Sequence, residues 1–261
     1  MKRFASLLLA FTPLTPAQQP PAPDALLARL YAFTADYRTT LPSLTCDESI
    51  VSQRAKKNKI KTEMHIESTL RELRRETSGL DDPFAEEHTF HTVDGKPAVG
   101  DFKIPYFVEG GFANMVGFAH PERIPCIDYR VSAGEQPGTV RMEMSARTDA
   151  ASANCAAVFK GYHAVIVADP ESGRILRSER TIGPDQATQR EEAFFASVEY
   201  GPQQLGDRTF WLPRKLAAHD DKDEGRMFAT YSNCHRFGSE VRILPGATEA
   251  APEVKPPSKP Q

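Results

Sequence analysis

The residues best able to do chemistry gather in two acidic phrases and around four cysteines. Glu86, Glu87, His88 and His91 place carboxylates and imidazoles close together, the donor types of a zinc site or an acid–base pair. If Glu87 to Thr92 is a strand, side chains alternate between its faces. His88 and His91 then point apart and cannot share an ion without a bulge. A surface strand is therefore expected. Asp220, Asp221, Asp223 and Glu224 are rich in oxygen ligands, but they lack the spaced loop with a closing glutamate that calcium sites use, so a solvated hairpin turn is expected. Cys126 or Cys155 with His163 would make a thiol and base, yet an even set of cysteines in an exported chain points to disulfides. The G-x-S-x-G, H-E-x-x-H, Walker and G-x-G-x-x-G patterns are all missing. No catalytic, cofactor-binding or metal residue is assigned, and an enzyme would need a dispersed site of carboxylates such as glycosidases use.

A second set of residues suits apolar binding. Phe107, Phe112, Met115, Phe118, Val140, Met142 and Met144 offer soft, adaptable surface of the kind that lines acyl-chain pockets. An ordinary packed core is the competing reading of the same residues.

The chain ends set the compartment. Lys2 and Arg3, the apolar run Phe4 to Leu14 and the small residues Thr15-Pro16-Ala17 have the order of a secretory signal peptide spanning 1–17, with the mature chain starting near Gln18. The apolar run is shorter than the roughly 20 residues a membrane-spanning helix needs. No transmembrane segment is expected after cleavage, and the protein is expected in the periplasm or outside the cell. Residues 245–261 hold Pro, Ala, Glu, Lys and Ser with no large apolar residue after Val254, a disordered tail by composition. Residues 18–244 fit one domain, with no linker-like interruption. Without Lys2 and Arg3 the balance is 30 basic against 35 acidic residues, a formal charge of −5, which gives no support to nucleic-acid binding. Lys56, Lys57, Lys59 and Lys61 form one basic cluster and read as a solvated turn.

These residues must be positioned by a helix and many strands. Leu26, Leu30, Phe33, Tyr37 and Leu41 recur every three or four residues, predicting a helix over Asp24 to Thr40, capped by Asp24 and stopped by Pro42. From Leu44 the period becomes two. Ile60, Thr62, Met64, Ile66 and Leu70 share one face and predict a strand, although Glu67 to Glu76 also carries a helical spacing. Val93-Asp94-Gly95-Lys96 predicts a tight turn, and Val108 to Phe118 a short helix entered through Gly110 and Gly111. Strands are expected at Cys126–Val131, Thr139–Ser145, Ala156–Ala168, Arg174–Ile182, Phe194–Tyr200, Thr209–Ala217, Arg226–Cys234 and Ser239–Leu244. The phrases Asp169-Pro170-Glu171-Ser172-Gly173 and Asp220 to Gly225 read as turns. Two helices cannot cover both faces of so large a sheet. The expected fold is mainly β: a curved antiparallel sheet, or incomplete barrel, wrapped around the leading helix and the short inserted one.

Several phrases resemble a known group. Leu41-Pro42-Ser43-Leu44-Thr45-Cys46, Val93-Asp94-Gly95-Lys96-Pro97, Gly110-Gly111-Phe112, Val167 through Arg177, and Cys234-His235-Arg236-Phe237-Gly238-Ser239-Glu240-Val241 look like those of secreted bacterial proteins that are similar to the periplasmic lipoprotein-carrier (LolA/LolB-like) superfamily. The resemblance implies an incomplete antiparallel barrel around helices, and a carrier, sensor or accessory role with a lipid, lipoprotein acyl chain or envelope protein as partner. It implies no catalytic residue. An interaction module with a filled core and an enzyme with an unrecognised site are the alternatives. Four cysteines allow three pairings. The strand layout favours Cys46 with Cys234, in the first and penultimate strands, and Cys126 with Cys155, on either side of the Thr139–Ser145 strand.

Overall fold

Apolar residues at helical spacing need a surface to rest on, and the chain supplies one immediately. In the computed structural model, which describes residues 23–57, 59–75, 83–110, 112, 126–147, 163–182, 194–220, 222 and 224–237, Pro23–Thr40 forms the helix α1. Leu26, Leu27, Leu30, Thr34 and Tyr37 are buried along one side, with Leu41 just beyond the last turn. Thr34 Oγ1 donates to the Leu30 carbonyl at 2.8 Å, so a polar residue is accommodated in the buried stripe. Asp24 accepts a hydrogen bond from Tyr129 Oη at 2.8 Å, a tertiary contact at the position where a cap was expected.

The strands are β1 (Leu44–Lys56), β2 (Lys59–Arg74), β3 (Phe84–Val93), β4 (Lys96–Pro97), β5 (Ile127–Ala133), β6 (Val140–Ala146), β7 (His163–Ala168), β8 (Ile175–Ile182), β9 (Phe194–Leu205), β10 (Arg208–Asp220) and β11 (Gly225–Arg236). They form one antiparallel sheet in the order β4-β3-β2-β1-β11-β10-β9-β8-β7-β6-β5, open at β4 and β5. Two meanders, β1 to β4 and β5 to β11, meet where β1 pairs with β11, from Leu44 opposite Arg236 to Arg54 opposite Gly225. The segment with competing signals, Glu67 to Arg74, is strand, because its neighbours β1 and β3 both supply ladder partners.

Cross-strand register builds an apolar row over the covered face. Val93, Ile66, Ile50, Ala229, Leu216, Val198, Ser178, Ile166, Met142 and Val131 follow one another as paired neighbours, one from each strand except β4. Apart from the half-buried Val93 and Val131, all of them are buried. The other face alternates to charged and polar residues, as a half-solvated sheet requires.

α1 lies across this row. Asp24 meets Tyr129 on β5, Arg29 Nη1 donates to the Pro170 carbonyl in the β7–β8 turn, Asp36 pairs with Arg208 beside the β9–β10 turn at 3.0 Å, and Arg74 Nη1 on β2 donates to the Leu41 carbonyl at 2.8 Å. An 18-residue helix is about 27 Å long. The strands from β5 to β1 would span roughly 34 Å if flat. The helix is therefore the chord of a curved sheet.

The chain leaves the sheet at β4, one edge, and re-enters at β5, the other. The connection between them must cross a face. Its described part, Phe102–Gly110 and Phe112, crosses the same face as α1 and is called the strap below. Val108, Glu109, Gly110 and Phe112 are not helical, which corrects the expected Val108–Phe118 helix for these residues; 111 and 113–118 lie outside the described residues. Gly110 sits at φ 76°, a left-handed conformation that interrupts any helix there. The expected signal peptide, the Ser239–Leu244 strand, the 245–261 tail and the Ala156–Tyr162 part of another strand also lie outside the described residues.

Cys46 and Cys234 form a disulfide between β1 and β11. A register shift between Thr45 and Asp47 accommodates it, with Asn233 at φ 50° on the opposite strand. Cys126 is also disulfide-bonded; Cys155 lies outside the described residues.

Candidate functional site

Alternation along three adjacent strands carries acids to the covered face. On β1, Leu44, Cys46, Glu48 and Ile50 are buried; on β2, Ile66, Ser68, Leu70 and Glu72 are. On β3, Phe84, Glu86, His88 and Phe90 share the inward parity. Register then brings the polar members together, with Glu48 opposite Ser68, Leu70 opposite His88, and Glu72 opposite Glu86. Glu48 is 1% exposed and Glu72 0%.

His88 is the centre of this cluster. Its Nδ1 lies 2.8 Å from Glu48 Oε2, and its Nε2 lies 3.7 Å from Glu86 Oε2. Ser68 Oγ donates to the same Glu48 oxygen at 2.7 Å. Phe107 stands edge-on to the imidazole at 5.0 Å, and Phe90 stacks near it at 6.2 Å. Burial alone would lower the imidazole pKa, but the hydrogen bond with Glu48 and the charges of Glu48 and Glu86 outweigh it and raise the value from 6.5 to about 10. The site thus favours the protonated form of His88, between the side chains of Glu48 and Glu86. Tyr231 on β11 and Tyr37 on α1 close the cluster. Desolvation first, then the nearby Glu48, Glu86 and Glu72, push the Tyr231 phenol well above its ordinary range. Desolvation, Tyr200, Glu72 and Glu86 do the same for Tyr37. Glu48 Oε1 and Tyr37 Oη are buried without a hydrogen-bond partner among the described residues.

Glu86 also holds the strap. Its Oε2 accepts the Gly110 N–H at 2.7 Å and its Oε1 accepts the Phe112 N–H at 2.6 Å. The left-handed turn at Gly110 lets the two N–H groups converge on one carboxylate, as an anion-binding nest does. Elsewhere side chains of β1 and β11 tie the strap to the sheet. Ser52 Oγ donates to the Tyr106 carbonyl at 2.7 Å and accepts the Tyr106 N–H at 2.9 Å, Arg54 donates to the Pro105 carbonyl at 3.2 Å, and the Val108 N–H points at Met227 Sδ at 3.3 Å. The strap's rings pack onto the sheet, Phe112 against Tyr231 at 4.9 Å and Phe102 against Phe90 at 5.5 Å.

The apolar candidates separate on the structure. Phe107 and Phe112 belong to the strap and lie over β1, β3 and β11. Met142 and Met144 line the floor on β6, and Phe112, Met142 and Met144 are each at most 1% exposed. Met115 and Phe118 lie outside the described residues.

The chemistry candidates are redistributed. His88 and His91 do point apart, and His91 bonds Thr69 Oγ1 on the exposed side at 2.7 Å. The expected surface strand is corrected for Glu86 and His88, which face the core. The flanking residues carried the signal: Phe84 and Phe90 share the parity of Glu86 and His88, and an apolar face was available to all four. Asp220 is likewise buried in its turn, not solvated. Its two carboxylate oxygens accept the N–H groups of Glu224 and Gly225 at 2.8 and 2.7 Å. Among the described residues no group of three or more His, Cys, Asp or Glu is arranged to hold a metal ion, and no helix is long and apolar enough to cross a membrane.

The fold is thus an open antiparallel sheet whose apolar face is covered, among the described residues, by α1 and the strap. No family model matches the chain, and no curated protein does. Solved structures do. A domain from Vibrio parahaemolyticus, described as an outer membrane lipoprotein-sorting protein domain, is similar with 12% identity, 83% of this chain and 94% of that chain covered, and a TM-score of 0.46. A LolA superfamily protein from Nitrosomonas europaea shows 10% identity, 82% and 94% coverage, and a TM-score of 0.40. A DUF1329 family protein from Desulfovibrio piger shows 11% identity, 82% and 94% coverage, and a TM-score of 0.37. At TM-scores this low, none of these likenesses carries an argument about the site.

Proposed function

We propose that this chain is an exported, non-enzymatic envelope protein that binds an apolar chain, such as the acyl chain of a lipid or lipoprotein, on the covered face of its sheet. The observation that carries the reading is the strap. It covers an apolar floor without joining the strand ladder, and side-chain contacts from Ser52, Arg54, Glu86 and Met227 tie it to the sheet. A cover that takes no part in the strand ladder can leave without breaking the sheet. The disulfide fits the oxidising compartment that export through residues 1–17 implies. Purified protein is expected to bind a fluorescent fatty-acyl probe and to retain a lipid in native mass spectrometry. Failure of both would leave the interaction module as the better reading. That second reading has its own support: Phe112, Met142 and Met144 are buried as fully as core residues in this closed state.

A further inference from the structure

We propose that the β5 edge of the sheet is a self-association surface: two copies of this chain pair their β5 strands antiparallel about a two-fold axis through Tyr129, so that the sheet continues from one molecule into the other. The inference does not depend on the apolar-binding reading.

The two edges of the sheet are built differently. β4 is two residues long, Lys96 and Pro97, a basic residue and one without an N–H group, which are features that keep a sheet edge from pairing. β5 has none of them. It runs for 7 residues, Ile127–Ala133, without Pro, Lys or a register shift against β6, and among the described residues nothing pairs with its outer side. Hydrogen bonds at its two ends set which groups that side presents. The Arg147 N–H donates to the Cys126 carbonyl and the Gly134 N–H to the Thr139 carbonyl, both at 2.9 Å, so the even-numbered residues of β5 are those that bond to β6. Ile127, Tyr129 and Val131 therefore turn their N–H and C=O groups outward. A second copy meets them when Tyr129 faces Tyr129 and each Ile127 faces a Val131, every such pair exchanging two hydrogen bonds.

Charge selects this register. Between the hydrogen-bonded pairs, Asp128 of each copy stands opposite Arg130 of the other, at the positions where facing side chains come closest. Both residues are exposed on the outer face. Within one molecule Arg130 lies opposite Glu143, and Asp128 pairs with Arg147 at 3.5 Å, so the charges across the seam alternate in the order Glu143, Arg130, Asp128, Arg147. The neighbouring registers lack this match. Centring the axis on Arg130 sets two guanidinium groups against each other, and centring it on Val131 leaves Asp128 and Arg130 facing Gly134 and Ser132. On the covered face, Val131, the half-buried end of the apolar row, gains Ile127 of the second copy as its neighbour.

Sedimentation velocity of the oxidised full chain tests this. One strand pair buries less than a standard interface, so dimer is expected to accumulate only over about 10 µM to 1 mM. Over the same range, hydrogen exchange at the Ile127, Tyr129 and Val131 amides should slow with concentration, while that at Ile50 in the middle of the sheet stays constant. This measurement needs no variant, so a substitution that fails to fold does not remove the test. Asp128→Arg and Arg130→Asp should each weaken the dimer roughly ten- to a hundredfold, because each sets like charges opposite one another twice. An equimolar mixture of the two variants should recover it, since the basic edge of one then faces the acidic edge of the other. Val131→Pro removes an outward N–H that the β5–β6 ladder does not use, and should abolish the dimer while leaving the sheet folded. A chain that stays monomeric at every concentration overturns the proposal and leaves the edge to a strand of another protein. A dimer that the charge variants do not weaken, that their mixture does not recover, or that forms without slowing exchange at the three β5 amides uses another surface, and overturns it as well.

Discussion

His88 shows how a residue's environment changes what its type implies. An exposed histidine would titrate near 6.5; between Glu48 and Glu86 it holds its proton to about 10. A folded-state pKa above the ordinary value means that the stability it contributes is fully present below pH 6.5 and is lost as pH rises through about 10. The domain is therefore expected to lose stability progressively between about pH 6.5 and 10, beyond the loss that general deprotonation causes. His88→Gln should abolish that extra loss and cost on the order of 3 to 5 kcal/mol at neutral pH, since it leaves buried carboxylates without a counter-charge. Urea unfolding across this pH range in both proteins measures it. Parallel stability profiles would show that the imidazole carries no net charge in the fold.

At the scale of elements, the docking of α1 depends on a turn that its sequence cannot announce. Gly173, at φ 70° in the β7–β8 turn, has no room for a side chain: a methyl group there would collide with the backbone of Arg29 and Leu30. Gly138, at φ 78° in the β5–β6 turn, has nothing within 4 Å. Both glycines adopt a left-handed backbone, but only the first carries the helix. Gly138→Ala is expected to cost about 1 kcal/mol, the conformational penalty alone. Gly173→Ala should cost about 3 kcal/mol or more, because the helix must also lift. Denaturation midpoints of the two variants compare them. Equal losses would mean that the closeness of helix and turn contributes nothing.

At the scale of the molecule, two meanders are joined by the β1–β11 pairing and by the connection that carries the strap. The Cys46–Cys234 bond spans 188 residues of sequence and crosses that seam. Closing so long a loop is worth about 4 to 5 kcal/mol in the chain-entropy model. Replacing both cysteines by serine should lower the unfolding free energy by that order, and the reduced protein should unfold at lower denaturant. With this pair made and Cys126 also disulfide-bonded, non-reducing peptide mapping is expected to recover Cys126 linked to Cys155. A free thiol at either position would contradict the pairing.

Much of the architecture follows from local rules. Leu26 to Leu41 repeat with the period of a helix, and from Leu44 the alternation of apolar and polar residues demands strands with one wet face. Asp94-Gly95 makes a turn because both residues tolerate positive φ, at 50° and 74°. These are short-range properties, legible wherever neighbours in sequence share one surface. The Cys46–Cys234 pairing was also within reach, since an open barrel brings the first and last strands together. The site was not. Glu86 and His88 are polar residues on an apolar face. Sequence assigns such residues to solvent, because burying an unpaired charge costs several kcal/mol. Only the register of β1, β2 and β3, set at the site by ladder pairs 14 to 20 positions apart in sequence, brings the counter-charges together and reverses that cost. The strap was missed for a related reason. The apolar residues of Val108 to Phe118 suggested a helix, but a connection between opposite sheet edges must cross the face, and the Glu86 carboxylate takes the N–H groups of Gly110 and Phe112. Topology and long-range charge pairing, neither of which any short window of sequence contains, decided both.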